Sequence, residues 1–509
     1  MENKESYKGI YAMHKYWGKK PFNEITRFIG KYSKNNEIVL DCFCGSGVSV
    51  VEALKADRKA IGIDLNPIAI KLAKASVTVV DEQKIKEEFN NISDKLKATI
   101  NSLYDYEYEG EITHITHIIW KNDVPLEVWY KKEGNKKKYI REGCNQDYKL
   151  ANEPNQQALW YPKTEMYENT RINVGKNQRV CDLFTNRALV GLSLLLDEIN
   201  KIEDEKIRTV FELTFTGTLS QASKLVFVIR DRKKNGKKET SKAEVGSWVI
   251  GYWVPEEHFE INVWNCFENR FKRILKGVAE INSIFSNKQE VDSNVTLING
   301  SATELPLENE SVDYVFIDPP HTNRVLYMEQ SLMWNAWLGL DNKIDWNKEI
   351  IVSEAKERKE KNLDDYNCLM NKTFSEICRV LKKDKYLSFA FNSLDDKTWI
   401  NLLNLFNKNG FVIHDIHPLE YSATSVIQDN RKNALKTDFV LTFKNTHKAQ
   451  SEINVNTDVG ELKIKIGKIL KLNPNYEVYN VMNTLFEQTV PDGFIYKISD
   501  IVKTCTEIM

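Results

Sequence analysis

The sequence predicts an α/β fold built on a doubly wound, mostly parallel sheet that a long insertion interrupts. Three observations predict it. The stretch "NEIVLDCFCGSGVSVVEALKADRKAIGIDLNPIAIKLAKA" has βαβ rhythm, with short β-branched runs ending at turn residues and apolar helical periodicity between them. A second alternating block starts near Asn294 and runs to about residue 445. Neither block has enough strands for a complete sheet, and the residues between them have a different, antiparallel and helical texture.

Within the first block, Ile38 to Asp41 reads as a strand and Gly45 and Gly47 as a tight turn. A helix is expected over about Val48 to Ala56, a strand over Ala60 to Asp64, and a second helix after Asn66-Pro67, where a proline suits the first turn. In the second block, "VTLINGSATELPL" is a strand and turn and "VDYVFIDPP" a buried strand. Pro319 and Pro320 end that strand because neither can donate to the ladder, which leaves Asp318 at its carboxyl end on a stiff turn. "FSEICRVLKKDKYLSFAFNS" and "LLNLFNKNGFVIHDIHPL" each read as helix then strand, and "TDFVLTFKN" as a last strand. In the intervening region, "EYEGEITHITHIIW" alternates like an antiparallel strand and "EVWYKKEGNKKKYIREG" like a hairpin with a lysine-rich turn. "RDRKKNGKKETSK" has nothing apolar to bury and reads as a basic loop, and the tail after about Asn445 as helical.

The 509 residues exceed what one compact core holds. With 42% apolar and 28% charged residues the composition is that of a globular protein, and a net charge of −1 confines any nucleic-acid surface to local patches. No run of about 18 apolar residues marks a membrane span. The eight cysteines show no C-x-x-C pair, and "MENKESYKGIYAMHKYW" has no apolar signal region; together they predict reduced thiols in a cytoplasmic protein.

The glycine turn "DCFCGSGVSV" lacks both the Lys-Ser/Thr of a phosphate loop and the third glycine of a dinucleotide site. Asp64, about twenty residues on, stands where a carboxylate takes ribose hydroxyls, so the pair suits an adenosyl ligand with a short charged tail. Because ligands of doubly wound sheets sit beyond the strand carboxyl ends, Asp41, Asp64 and Asp318 should converge on one cleft.

This ordered set resembles the S-adenosylmethionine-dependent DNA amino-methyltransferases of the N6-adenine and N4-cytosine type. "DCFCGSG" is similar to their motif I, "GIDLNP" to the acidic motif II, "DPPH" to the D/N/S-P-P-aromatic motif IV, and "HKYWGKKP" to the segment closing over the methionine end of the cofactor. The likeness covers about residues 8 to 85 and 290 to 445 and extends to a subset with a large insertion before motif IV. It implies a seven-stranded, mostly parallel Rossmann-like class I methyltransferase sheet in two parts, residues 1–90 and 261–445. An α+β insertion over 91–260 is then the candidate DNA-recognition domain, and 446–509 a small helical appendage. It further implies S-adenosylmethionine as cofactor, held by His14, Lys19, Asp41, Phe43, Gly45, Gly47, Asp64, Asn66, Ser301 and Ala302. The implied catalytic residues are Asp318, Pro319, Pro320 and His321: Asp318 and the Pro319 carbonyl accept the hydrogens of the target amine, and His321 replaces the usual aromatic as a stacking platform. Relatives usually have Asp in place of Ser301.

The resemblance implies double-stranded DNA as substrate, with adenine favoured over cytosine because the motif opens on Asp, and a cognate restriction or defence protein as a plausible partner. Two basic stretches of the insertion are candidates for phosphate contact: Lys131, Lys136, Lys137, Lys138 and Arg141, and Arg230, Arg232, Lys233, Lys234, Lys237 and Lys238. Their bland reading is a pair of solvated loops. Relatives often carry a zinc ribbon here, but only Cys144 is present, and His114 and His117 on a strand would face opposite ways, so no metal site is expected. Cys42 and Cys44 read as packing residues. An RNA or tRNA base methyltransferase and a catalytically silent nucleic-acid-binding subunit remain alternatives, and a metal nuclease leaves the glycines and prolines unexplained. Nothing in the chain sets target sequence or oligomeric state.

Overall fold

The computed structural model describes residues 9–508 apart from 20, 136, 154–158, 231–232, 235–236, 239–242, 249–250, 286–290, 323–324, 392–395 and 420–438. The chain opens the main sheet with β1 (Ile38–Asp41) and β2 (Lys59–Asp64) and then leaves it. It builds β3 (Asp105–Tyr108), β4 (Glu111–Lys121), β5 (Val124–Lys132), β6 (Tyr139–Glu142), β7 (Val226–Ile229), the two-residue pair β8 (Lys233–Lys234) and β9 (Lys237–Lys238), β10 (Glu244–Trp248) and β11 (Glu257–Ile261). It returns as β12 (Val295–Asn299), β13 (Val312–Ile317), β14 (Leu381–Phe391), β15 (Phe411–Pro418) and β16 (Phe439–Asn445).

The main sheet has seven strands in the order β12-β2-β1-β13-β14-β16-β15. Neighbours are parallel from β12 to β14, and β16 runs antiparallel to both of its neighbours. The α/β class and the two-part sheet expected from the sequence are what the chain forms. Order reverses between β1 and β13, so their carboxyl ends open a crevice at the switch point. Register fixes which side chains meet there. Asp41 pairs with Gly62, Leu40 with Val315 and Asn299 with Asp64, so Asp64 and Asp318, like Asp41, end their strands on the same edge.

β13 is buried along its whole length, which is why its sequence is almost continuously apolar. Its one acidic residue, Asp313, is accommodated by bonds from the Ile38 N–H (3.0 Å) and Lys382 Nζ (2.7 Å). One apolar cluster runs from Val39, Tyr314 and Phe316 to Phe211, Phe215 and Trp264, so the helices Glu205–Ala222 and Val263–Phe285 share a core with the sheet. The second sheet, β10-β7-β11-β4-β5-β6 with β3 beside β4, is carried by this helical layer.

On the other face, Leu387, Phe389 and Leu441 pack with the helices Leu363–Val380 and Asp396–Lys408 and with the appendage. The appendage is not purely helical as expected: besides three helices it contains the parallel pair β17 (Asn454–Asn456) and β18 (Phe494–Tyr496). Ile495 and Tyr496 are buried there, and burial of this short run favours pairing over helix. Asn483 of the appendage bonds the Ile416 N–H (3.2 Å) and Asp415 (3.1 Å), covering the β15 edge. The stretch "LEYSATSVIQDNRKNALKTDFVLTFKN", which resembles a segment recurring in the insertion-bearing subset, falls largely on 420–438, outside the described residues.

Candidate active site

The glycine turn after β1 is shaped by backbone conformations that side chains disfavour. Gly45 (φ 49°) and Gly47 (φ 83°) are both left-handed. A Cβ on Gly45 would lie 3.0 Å from the Tyr16 ring, and one on Gly47 would lie 2.8 Å from the Ala73 Cβ. Gly45 therefore brings bare backbone to the ligand side. Gly47 instead lets the helix Pro67–Ala75 pack close, and it does not line the cleft.

Above the strand ends lies an open cleft. Lys19, Asp41, Phe43, Gly45, Asp64, Asn66, Ser301, Ala302, Asp318 and Pro320 line it. Residues more than 250 positions apart in the chain are thus brought together. His14, Gly47, Pro319 and His321 are not in its wall.

Asp41 is buried; it accepts from the Phe43 N–H (2.9 Å) and from the Ser49 hydroxyl. Burial pushes its carboxyl up to about 7; those two bonds oppose the shift, and the negative charges of Asp64 and Asp318 add to it. Asp64 accepts the N–H groups of Gly45 and Asn66, both at 2.8 Å, one on each oxygen. Burial raises it to about 6 against those bonds, with a further push from Glu349. Each carboxylate oxygen can accept more than one hydrogen bond, so Asp64 keeps capacity for ligand hydroxyls. Asn66 ties this corner together by bonding Ser331 Oγ (2.7 Å), Tyr16 OH (3.3 Å) and Asn335 Nδ2 (2.9 Å).

Lys19 donates to the carbonyls of Tyr11 (2.9 Å) and His14 (2.8 Å), and burial lowers it to about 7. His14 corrects the cofactor reading: it is packed edge-on against Trp334, and burial together with the Arg270 charge lowers it to about 3. Its ring packs on Trp334, which stacks on the cleft residue Trp17, and stays neutral. Ser301 Oγ sits 2.8 Å from Thr303 Oγ1 and accepts the Thr303 N–H at 3.2 Å, a local turn.

At the double proline, the Pro320 carbonyl accepts the Tyr366 hydroxyl (2.9 Å), pinning the loop to the helix Leu363–Val380. His321 Nε2 lies 3.6 Å from Asp318 Oδ1, too long for a hydrogen bond, with both side chains 20% exposed. Cys42 and Cys44 are buried, and burial pushes both thiols well above their usual range, so neither is a nucleophile. Among the described residues no group of three His, Cys, Asp or Glu could hold a metal ion.

Of the basic residues of the insertion, Arg141 is corrected. Its guanidinium forms two 2.7 Å bonds to the buried Asp147 and is 5% exposed, so it holds the hairpin to the helix Asn145–Asn152 and is withdrawn from phosphates. Lys131 and Lys137 are exposed, and Lys138 lies 3.2 Å from the Trp129 ring centroid. Arg230 pairs with Glu257 at 2.7 Å. Lys136, Arg232 and the side chains of Lys233, Lys234, Lys237 and Lys238 lie outside the described residues.

The sequence reading missed several wall residues. Tyr16 and Trp17 belong to "HKYWGKKP", and Tyr327 and Met328 to the segment after the double proline; their aromatic runs were a usable signal. Glu349 and Ile350 carried none. Glu349 accepts from Arg358 Nη2 (2.6 Å) and the Met328 N–H (3.3 Å). Arg358 in turn bonds Glu329 (2.8 Å), which accepts from Asn169 (2.7 Å) of the insertion.

With that geometry in view, residues 1–75 match the model of the N6/N4 DNA methylase family. The chain is 21% identical over 366 residues to the Type II methyltransferase M.MjaII of Methanocaldococcus jannaschii, covering 65% of this chain and 62% of that protein. It is 22% identical over 337 residues to the Type II methyltransferase M.MvaI of Kocuria varians, covering 64% and 55%. The chain thus spans somewhat over half the length of these relatives. A crystal structure of a SAM-dependent methyltransferase from Methanosarcina mazei aligns with 83% of this chain and 98% of its own at 9% identity and a TM-score of 0.26, which adds nothing to the strand order. The resemblance to DNA amino-methyltransferases read from the motifs is matched by the family model and by these relatives.

Proposed function

We propose that this chain is an S-adenosylmethionine-dependent methyltransferase that modifies the exocyclic amino group of a base flipped out of double-stranded DNA, adenine N6 in preference to cytosine N4. One observation carries the reading: Asp318 of the double-proline turn and Gly45 of the glycine turn line a single cleft. The donor set fits the cofactor, because four acids (Asp41, Asp64, Asp318, Glu349) and two lysines (Lys19, Lys348) line that cleft, a balance suited to a cation bearing sugar hydroxyls.

When bound, S-adenosylmethionine supplies an electrophilic methyl group on a sulfonium. Asp64 holds the ribose, the bare Gly45 backbone admits close approach, and Tyr16 and Trp17 exclude water from the inner end. Asp318 and the Pro319 carbonyl accept the two amine hydrogens, which draws the nitrogen lone pair out of the ring and aims it. With Tyr366 holding the Pro320 carbonyl, the loop is stiff, so catalysis rests on positioning and preorganised acceptors. His321 stacks on the extruded base. Lys131, Lys137 and Lys138 of the β5–β6 hairpin meet phosphates, and a restriction–modification setting in the cytoplasm follows from the same reading.

The test is transfer of tritiated methyl from the cofactor to duplex DNA. Label should enter DNA as N6-methyladenine and fall roughly 10²–10⁴-fold for Asp318→Ala. Label in RNA alone moves the assignment to an RNA enzyme, and cofactor binding without any transfer makes the chain a silent binder.

A further inference from the structure

We propose that Glu349 accepts a hydrogen bond from the 6-amino group of the cofactor's adenine, supplying the charged acceptor that Ser301 lacks. The inference rests on the methyltransferase reading above and names a residue that the motifs do not reach.

Ser301 follows β12, where relatives usually carry an aspartate, and its hydroxyl is uncharged and already engaged by Thr303 N and Oγ1. The nucleoside end of the cleft therefore lacks its charged acceptor on that loop. Glu349 lies in the same wall. One contact ties its segment to the loop, Lys348 Nζ meeting Glu304 Oε2 at 3.2 Å, and Ile350 belongs to the same apolar cluster as Ala302 and Leu305. The ribose carboxylate Asp64 lines the same cleft, and the Glu349 charge adds to the burial that raises it. Glu349 thus shares one cleft wall with the two loops that bracket an adenosyl group.

Its carboxylate is also preorganised. Arg358 holds one oxygen and the Met328 N–H the other, and the side chain is 7% exposed. Those two bonds use about half of its acceptor positions. Burial without a donor on the remainder is unfavourable, and an exocyclic amine supplies one. A 6-oxo purine would instead place an oxygen against the carboxylate, so the site rejects it as well as preferring adenine.

The experiment is titration calorimetry of the whole chain with S-adenosylhomocysteine and with S-inosylhomocysteine, its 6-oxo counterpart. The wild type should prefer the adenosyl ligand by roughly 10–100-fold, the range for one hydrogen bond to a charged group. In Glu349→Gln the preference should shrink to within about threefold, because an amide both donates and accepts. Glu349→Asp, which keeps the charge beside Arg358 but withdraws it, should lower the ratio as well and serves if the glutamine variant does not fold. Asp64→Asn should weaken both ligands and leave the ratio alone. Adding Ser301→Asp to Glu349→Gln should restore the preference. An unchanged ratio in Glu349→Gln and Glu349→Asp overturns the role of Glu349 alone. A wild type that binds neither ligand overturns the methyltransferase reading and this inference with it.

Discussion

Arg358 is the residue whose loss the fold should feel most. Its side chain is 2% exposed and those of Glu329 and Glu349 are 3% and 7% exposed, so three charges share a dry site. The guanidinium bonds Glu329 (2.8 Å), Glu349 (2.6 Å) and the Trp346 carbonyl (3.2 Å), and it stacks 4.9 Å from the Trp346 ring. Arg358→Met keeps most of the volume and removes the cation, leaving two carboxylates that also repel each other. Breaking a buried pair costs about 3–5 kcal/mol, and two stranded acids put the expectation at the upper end. The cost must depend on pH. Burial already raises Glu349, with Arg358 opposing, so in the variant the Glu349 carboxyl titrates higher still. A group whose folded pKa lies above its unfolded value contributes stability at low pH that is lost as pH rises through the folded value. Urea unfolding followed by tryptophan fluorescence should therefore show a larger deficit at pH 8 than at pH 5. Adding Glu329→Gln to Arg358→Met should recover part of it. A deficit below about 1 kcal/mol, typical of an exposed pair, or one that does not change with pH, would refute the view that these acids depend on Arg358.

Gly47→Ala forces a side chain into a left-handed conformation and against Ala73; a loss of about 2–4 kcal/mol is expected from the two terms together, read as a lower denaturation midpoint. Burial raises Asp41 to about 7 and Asp64 to about 6, above their unfolded values, so the ligand-free chain should lose stability between about pH 4 and 7; Asp41→Asn should flatten that slope in a thermal melt series. The same titration sets ligand affinity in the opposite sense, because a deprotonated Asp64 is the better acceptor: S-adenosylhomocysteine should bind more tightly at pH 7.5 than at pH 5. Arg141→Gln should cost about 3–5 kcal/mol through stranded Asp147 and leave the salt dependence of DNA binding alone. Replacing Lys131, Lys137 and Lys138 by Gln should leave stability within about 0.5 kcal/mol and lower the salt slope by up to about 2.7.

Local chemistry made much of this protein legible in its residues. β1, β2 and β13 were readable because short β-branched runs end at Asp, Gly or Pro, and those turns act through φ and missing donors within a few residues. The order of the motifs around an interrupted sheet then placed Asp41, Asp64 and Asp318 at strand ends, and parallel register put those ends side by side. The structure alone decided which polar side chains are spent inside the fold. Arg141 and Lys137 look alike as letters in a basic run, yet one is locked onto Asp147 and the other is exposed. Nothing near Glu349 in the chain announces that Arg358 fixes it or that it shares a cleft wall with Ala302 and Asp64. Hydrogen bonds and charge interactions depend on distance in space. Between residues separated by tens to hundreds of positions, only the packed sheet and its helices set that distance.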